Sequence, residues 1–261
     1  MCRKHKDMEK MLPKTGKYEF MAEPFHCDFS NRLFMGHLGN AMLNAADFHS
    51  NDRGYGMSYL NGLHKTWVLS RLAIEMEEMP AAYDRFWVET WVESAMKFFT
   101  SRNFAVTGSD GRTLGYGRSI WAMIDTETRQ PVDLLAVRDG LINAYVERDK
   151  ACPIGKPSRV RMDKEAPLVH SLDTYYNDID VNGHVNSVKY IEHVLDLFDL
   201  SWYRLHRLQR FEIAYVAESH QGDRLHFYRE QTGEGEYGVR ITKGTDDEVE
   251  VVRSLIRFAK D

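Results

Sequence analysis

Residues 180–190 read Asp180-Val181-Asn182-Gly183-His184-Val185-Asn186-Ser187-Val188-Lys189-Tyr190, which is typical of a loop that leads into a helix. From its middle onward, apolar residues recur every three or four positions, at Val185, Val188, Ile191, Leu195 and Phe198. That spacing predicts an amphipathic helix with one face against a core. We expect the helix to begin at Gly183 or His184 and to run on to Phe198.

Three polar side chains stand just before this predicted helix: Asp180, Asn182 and His184. A helix N-terminus carries free backbone N–H groups and partial positive charge. We therefore expect the amides near His184 and Val185 to hold a polarised carbonyl oxygen. An acid, an amide and an imidazole are the side chains that position water or move protons. The alternative is an ordinary N-cap loop with an incidental histidine, because Asp and Asn are favoured at such caps.

The rest of the chain repeats one arrangement twice, in which a strand precedes a helix and four strands follow. In the first half the opening strand is predicted near 17–25 and the helix over 34–50, with later strands near 65–79, 84–95, 97–107 and 112–125. In the second half the opening strand is predicted near 166–176, and the later strands near 210–219, 223–231, 235–243 and 248–259. This order is typical of an α+β fold in which each sheet wraps its own long central helix.

Turn-forming segments separate these elements. Gly108-Ser109-Asp110-Gly111 predicts a hairpin turn, and further turns are predicted at 232–235 and 244–247. A glycine-rich loop is expected over 53–62. Cys152-Pro153-Ile154-Gly155-Lys156-Pro157 is typical of a linker. We place the domain boundary near 155, which divides the chain into units 1–155 and 156–261.

Composition narrows the function classes. The chain has 261 residues, of which 43% are hydrophobic and 28% charged, as in an ordinary globular protein. Its net charge of −5 argues against a nucleic-acid partner. The three cysteines and the histidines lack metal-ligand spacing, so we expect neither a metal nor a disulfide framework. The charged start lacks an apolar run and no segment is long enough to span a membrane, so we expect a cytoplasmic protein.

The opening stretch resembles the Asp-x-Asn-x-His-Val-Asn-Asn-x-Lys-Tyr signature of the acyl-acyl carrier protein (acyl-ACP) thioesterases, the family known in plants as FatA and FatB. Further resemblance follows in the family's order, at 66–71, 87–92, 119–123 and 215–218. It implies two tandem hotdog domains, hydrolysis of fatty acyl thioesters without a cofactor, and acyl carrier protein as partner. A coenzyme A thioesterase and a non-catalytic sensor of acyl thioesters are the alternatives. Whether the protein is a monomer or a homodimer stays open.

The resemblance also assigns roles to residues. Glu218 matches the family's glutamate on the strand after the helix, and we assign it as general base or nucleophile, with Asp180 as the competing candidate. Asn182 and His184 would position the water and the thioester. The family often has a cysteine after this glutamate, and here the position is Ser219. A carboxylate mechanism needs nothing from that residue.

The two halves share a short sequence similarity, because Gly36-His37-Leu38 is predicted to open the first helix much as Gly183-His184-Val185 opens the second. In this register Leu33 and Met35 stand where Asp180 and Asn182 stand, so only the second half could do chemistry. The first half would line the acyl pocket, for which we name Met35, Met42, Trp67, Trp87 and Trp121; plain core packing is the alternative.

One basic pattern remains. Arg204, Arg207 and Arg210 recur every third residue and could form a ridge that binds an acidic carrier protein. A solvated face is the alternative interpretation.

Overall fold

The computed structural model describes residues 11–244 and 248–260, so most of the predicted turn at 244–247 lies outside the described residues. In the first half, strand β1 (Thr15–Met21) precedes a long helix α1 (Met35–Asp52) and a short helix α2 (Met57–Leu60). Four strands follow: β2 (Lys65–Met76), β3 (Arg85–Ala95), β4 (Phe99–Gly108) and β5 (Thr113–Asp125). The expectation of a loop throughout 53–62 is therefore wrong, because α2 lies within it.

The second half repeats this order. Strand β6 (Leu168–Asp173) precedes helix α3 (Ser187–Leu195) and the short helix α4 (Leu200–Tyr203). The strands that follow are β7 (His206–Tyr215), β8 (Arg224–Gly233), β9 (Glu236–Lys243) and β10 (Val249–Lys260). Between the halves, Leu134–Tyr145 forms 3-10 turns interrupted by a kink. The repeated pattern of one helix and several strands is as predicted.

The strands form one antiparallel sheet in the order β1-β3-β4-β5-β2-β7-β10-β9-β8-β6. At its centre β2 pairs with β7, residues Arg71–Glu75 lying against Arg210–Ala214. Outward from this pair, the strands of each half follow in the same order, so the halves are related by an approximate two-fold axis. This arrangement confirms the α+β fold, a tandem double hotdog with a central helix on each half of the sheet.

A single hydrophobic core joins the helices to the sheet. Leu38 and Met42 of α1 and Ile191 of α3 are fully buried in it. The two helices approach closely at Gly39, where an added Cβ would lie 3.2 Å from Cδ1 of Ile191. This contact places the N-terminal end of each helix beside residues of the other half.

Helix α3 begins at Ser187, and the predicted start at Gly183 or His184 is wrong. The N-cap is Asn186, whose Oδ1 accepts the backbone N–H of Val188 at 2.9 Å. Ahead of it, Val185 forms a β-bridge with Ile179, which keeps residues 179–185 in a loop. The spacing of apolar residues could not show where the helix begins, because Val185 would be buried whether it lay in the helix or in the loop before it.

The linker lies on the outer face of the sheet, opposite the helices. Cys152 and Ile154 pack against Trp91, whose indole N–H donates to the carbonyl of Lys150 at 3.0 Å. Gly155 accepts a hydrogen bond from Arg210 of β7 at 2.9 Å. The segment that joins the halves is therefore packed against both of them.

Candidate active site

The loop that leads into α3 is held first by Asp178. This side chain is buried at the end of a 3-10 turn, Tyr176–Asp178. One of its oxygens accepts the backbone N–H of Tyr175 at 2.8 Å, and the other lies 3.2 Å from Nε2 of His193 in α3. The loop is thereby tied to the side of the helix.

Asp180 closes the tight turn that follows. Its Oδ1 accepts the backbone N–H groups of Asn182 at 2.8 Å and His184 at 3.4 Å. Its own N–H donates to the carbonyl of His184 at 2.9 Å. Gly183 has a φ of +80°, which glycine adopts without steric penalty. The hydrogen bonds of Asp180 thus hold the backbone turn of residues 180–184.

The backbone amides expected to hold a carbonyl oxygen are already bonded within the protein. The N–H of His184 faces Asp180, that of Val185 donates to the carbonyl of Ser219 at 2.8 Å, and that of Asn186 donates to the carbonyl of Asp178 at 2.7 Å. The assignment of an oxyanion site to the amides near His184 and Val185 is therefore wrong. These groups join residues 179–186 to residues 216–223, which we call the first and the second candidate active-site loop.

Glu218 lies in the loop between β7 and β8, residues 216–223. The far end of this loop is held by Asp223, whose Oδ2 accepts the N–H of His220 at 2.9 Å and binds Lys243 at 3.0 Å. Burial disfavours the charged form of Asp223, but the hydrogen bonds from His220 and Lys243 outweigh it and lower its pKa. The loop that carries Glu218 is thus anchored at a charged residue.

His184 and Glu218 come together. Nε2 of His184 lies 3.3 Å from Oε2 of Glu218, and the two side chains are 24% and 36% exposed. The His184 ring also packs edge-on against His220, with 5.0 Å between ring centroids. A paired imidazole and carboxylate within reach of solvent can transfer protons.

The second oxygen of Glu218 pairs with a residue of the first half, Arg129. Arg129 lies in a turn after β5 and has a φ of +61°. Asp125 shapes this turn, because its Oδ1 accepts the N–H groups of Glu127 at 3.0 Å and Thr128 at 2.8 Å. Sequence reasoning missed Arg129: it belongs to an ordinary polar turn, 89 positions from Glu218.

Asn182 occupies the tip of the turn next to His184. It is exposed, and its side chain makes no hydrogen bond to any residue within 11–244 and 248–260. The loop thus groups Asp180, Asn182 and His184 as predicted, but only His184 is seen in contact with Glu218.

Ser219 lies directly after Glu218 and is only 1% exposed. Its Oγ has no hydrogen-bond partner among the described residues. The Tyr190 hydroxyl is buried beside it, and burial raises the pKa of Tyr190 to about 12. A hydroxyl this buried is badly placed to attack a substrate.

The first half contains a second copy of the first active-site loop. After the 3-10 turn Pro24–His26, Oδ1 of Asp28 accepts the N–H groups of Ser30 at 2.8 Å and Arg32 at 3.2 Å. Asn31 has a φ of +63°, like Gly183. Asp28 therefore stands where Asp180 stands, and Arg32 stands where His184 stands.

The second active-site loop is duplicated as well. The N–H of Leu33 donates to the carbonyl of Pro80 at 2.9 Å, as that of Val185 does to Ser219. The N–H of Ala81 donates to Asp84 at 2.9 Å, as that of His220 does to Asp223. Met79, which precedes Pro80, therefore stands where Glu218 stands.

These equivalent hydrogen bonds correct the alignment of the two halves predicted from the sequence, which placed Leu33 at the position of Asp180. The helix N-caps are Phe34 and Asn186, so the two loops superpose with Asp28 on Asp180. In the corrected register the first copy has arginine and methionine in place of His184 and Glu218. It retains the aspartate.

Two profiles of one family match this sequence. The acyl-ACP thioesterase N-terminal domain matches residues 14–145, and the acyl-ACP thioesterase C-terminal domain matches residues 161–258. The chain belongs to the acyl-ACP thioesterase family. Among solved structures, it is similar to an acyl-ACP thioesterase from Bacteroides thetaiotaomicron, at 50% identity and a TM-score of 0.88 over 94% of this chain and 98% of that one. The domain boundary near 155 stays a prediction.

More distant relatives come from plants. A 12:0-ACP thioesterase from Umbellularia californica shares the fold, with a TM-score of 0.82 and 21% identity over 97% of this chain and 100% of that one. Oleoyl-acyl carrier protein thioesterase 2 of Arabidopsis thaliana is 26% identical over 224 residues, 79% of this chain and 60% of the relative. A dodecanoyl-[acyl-carrier-protein] hydrolase of Cinnamomum camphora is 28% identical over 190 residues, 70% of this chain and 50% of the relative. The chain spans 50–60% of the length of these two curated relatives.

Within the acyl-ACP thioesterase fold, the residues predicted to line an acyl pocket are dispersed. Met42 is fully buried in the core, and Trp67 and Trp121 are partly buried. Met35 lines a cavity of about 940 Å³ between the start of α1 and the far end of α3. Trp87 points to the outer face of the sheet, where the Lys17 ammonium lies 5.5 Å from its ring centroid. That placement of Trp87 does not suit a pocket beside the helices.

The predicted basic ridge does not form. Arg204 ends α4 and Arg207 lies in β7, both exposed, whereas Arg210 is 5% exposed. Arg210 lies 2.7 Å from both Glu75 and Glu212. The linker covers Arg210, whose guanidinium donates to the carbonyl of Gly155 at 2.9 Å, and this contact accounts for its burial.

The part of the chain that the structure describes offers no candidate for two other kinds of site. No group of three or more His, Cys, Asp and Glu residues there could hold a metal ion. No helix there is long and apolar enough to cross a membrane.

Proposed function

We propose that this protein hydrolyses fatty acyl thioesters of acyl carrier protein and releases the free fatty acid. The observation that carries the proposal is the contact of His184 with Glu218, 3.3 Å apart and partly exposed, in a chain of the acyl-ACP thioesterase family. The first copy of the loops has no such pair, so the chemistry is assigned to the second half alone.

Glu218 acts in this proposal by orienting His184. One of its oxygens pairs with Arg129 and the other with Nε2 of His184, and these two contacts favour an orienting role over attack on a carbonyl. With Nε2–H directed at Glu218, Nδ1 of His184 is left to accept a proton. His184 is then the general base, and Glu218 as nucleophile is the alternative.

The reaction needs one water. Its oxygen attacks the thioester carbonyl while His184 takes a proton, a contribution worth about 10²–10⁴ in rate. The carbon–sulfur bond then breaks, and the departing thiolate takes the proton back from His184. Free thiols have a pKa of about 8.5, so the thiolate leaves readily. The products are the fatty acid and the carrier protein with a free thiol.

Asn182 is assigned to the thioester carbonyl. The amides of residues 184–186 are bonded within the loops, whereas the Asn182 side chain is exposed beside His184. A donor to a developing oxyanion is worth about 10²–10³ in rate. Asp180 holds the turn that presents both residues, and we place it outside the proton transfer.

Arg129 is assigned as a positioning residue. It reaches Glu218 from the other half of the molecule, and its own turn is held by Asp125. The pair fixes one rotamer of Glu218 and therefore one orientation of the imidazole. Each half then contributes to a single site.

Arg204 and Arg207 remain candidates for contact with an acidic carrier protein, because both are exposed cations. Their docking role would appear as a salt-dependent KM for the carrier-bound substrate. A cytoplasmic location and the choice between monomer and homodimer also stay predictions.

A hydrolysis panel tests the function. Saturated acyl chains from octanoyl to octadecanoyl are presented on acyl carrier protein and on coenzyme A, and free thiol is measured. We expect the higher kcat/KM with the carrier protein, and loss of both activities in His184→Ala. Equal rates would favour a coenzyme A thioesterase, and binding without thiol release would favour a sensor.

A further inference from the structure

The cavity of about 940 Å³ lies beside the first copy of the loops. Arg32 and Met79 line it, and these two residues are the counterparts of His184 and Glu218. Leu195, Phe198 and Tyr203 of the second half form another part of its lining. It therefore occupies the place related to the active site by the approximate two-fold axis.

The lining is largely apolar and partly open to water. Phe29, Phe34 and Leu200 are 52%, 46% and 59% exposed, respectively. Leu33, Met35 and Leu208 continue the apolar surface. Exposed apolar side chains grouped around a concavity of several hundred Å³ are typical of a site for an apolar ligand.

The charges around the cavity exclude one class of ligand. Carboxylates outnumber cations in its lining. Among the cations, Arg32 lies 3.3 Å from Glu78, and Lys189 lies 2.7 Å from Glu192. A free fatty acid would bring another carboxylate into this negative surround. The thioester group at the end of an acyl chain brings none.

We propose that this cavity is a second binding site for the acyl chain of a fatty acyl thioester, one that binds without hydrolysing. The identity of the ligand rests on the proposed function, because the duplicated loops relate this site to the one at His184. Arg32 donates to the carbonyl of Met79 at 3.0 Å, which closes the two loops where the active copy has its imidazole and carboxylate. With no acid–base pair at these positions, the bound thioester is stable there.

The test counts ligands per chain. The probe is a dodecyl pantetheine thioether, which has no carbonyl to hydrolyse, and isothermal titration calorimetry measures its stoichiometry with the full chain. Leu200→Glu places a charge at the mouth of the cavity. Leu205→Glu is the matched control, because Leu205 is 66% exposed and does not line the cavity.

We expect two probes per native chain and per Leu205→Glu chain. Leu200→Glu should bind one, or bind the second at least tenfold more weakly, with kcat unchanged as proof of folding. One probe per native chain would overturn the proposal, and so would two in Leu200→Glu with unchanged affinity. A dimer that dissociates on Leu200→Glu, with no loss of probe, would mean that a second copy covers the cavity. If the native chain bound two probes but hydrolysed no acyl thioester, the result would contradict the proposed function and leave the second binding site supported.

Discussion

The two copies of the active-site loops have the same backbone and different chemistry. Asp28 and Asp180 each accept two backbone N–H groups at equivalent positions, and Asn31 and Gly183 each adopt a positive φ. Arg32 and Met79 then replace His184 and Glu218. The aspartate is thus common to both loops, whereas the imidazole and the glutamate, to which we assign the reaction, occur in the second copy alone.

The copies also differ in what the opposite half presents to them. Arg129 reaches Glu218 in the second copy, and the first copy faces the open cavity lined by Phe198 and Tyr203. In the second copy an arginine of the opposite half pairs with the glutamate, whereas the first copy borders a cavity with a partly apolar lining. Four predictions test this contrast, and one concerns a buried histidine in the helix that follows the first copy.

The largest effect is expected at the paired residues. His184→Ala and Glu218→Gln should each lower kcat by at least about 10², because they remove the proton acceptor or its orienting partner. Arg32→Gln and Met79→Leu are the matched changes in the first copy and should leave kcat within about threefold. Steady-state hydrolysis of one carrier-bound substrate measures all four. Comparable losses in both copies would break the contrast.

Arg129→Gln should lower kcat by about 10–10², with a smaller change in KM, because a misoriented imidazole affects the reaction more than binding. Arg129→Lys should recover part of the loss. The control is Arg85→Gln, since Arg85 forms an exposed ion pair with Glu19 elsewhere on the surface. If Arg129→Gln matches this control, the cross-half pair has no catalytic role.

The paired aspartates separate structure from chemistry. Asp28→Ala and Asp180→Ala should each lower the free energy of unfolding by about 1–3 kcal/mol, because each leaves backbone N–H groups without their acceptor. Asp180→Asn keeps an oxygen at this position and should retain activity within about tenfold. Urea unfolding and kcat are measured together. A loss of about 10² in kcat for Asp180→Asn would return Asp180 to the role of base.

The helices that follow the copies differ in length, and His49 is buried near the end of the longer one. Its Nε2 lies 2.9 Å from the carbonyl of Lys14. Burial, together with the charge of Arg102, lowers its pKa to about 2. The unfolded ring binds a proton below about pH 6.5, whereas the folded ring does not. The free energy of unfolding should therefore decrease as the pH is lowered below about 6.5, by at most about 1.4 kcal/mol per pH unit.

The measurement is urea unfolding of the native chain and His49→Gln between pH 7 and pH 5. The variant has no ring to titrate, so its stability should depend less on pH. Equal slopes in the two proteins would show that the buried ring does not contribute.

The smallest effect is expected at Ser219, whose counterpart in the first copy is Pro80. Ser219→Ala should keep kcat within about threefold, because the buried hydroxyl has no role in the proposed proton transfer. Single-turnover hydrolysis in ¹⁸O water complements it, since direct attack by water places the label only in the fatty acid. Label in the protein would instead indicate an acyl-enzyme formed on Glu218.

Local patterns in the sequence predicted much of the site. The grouping of Asp180, Asn182 and His184 follows from their spacing in one short turn, and the resemblance added Glu218. The choice between Asp180 and Glu218 did not follow, because it depends on hydrogen bonds and ion pairs that form only on folding. The register of the duplicated loop did not follow from the sequence either, since the copies share a backbone and few side chains.

The sequence by itself determined the order of elements, because the periods of a helix and a strand are local properties. The hairpin at 108–111 and the twice-repeated order of helix and strands follow from it. The tertiary structure alone decided the start of α3, where the N–H of Val185 bonds to Ser219, and the burial of Arg210 between Glu75 and Glu212. It also decided the pairing of Arg129 with Glu218, because closure of one sheet across both halves brings those two turns together.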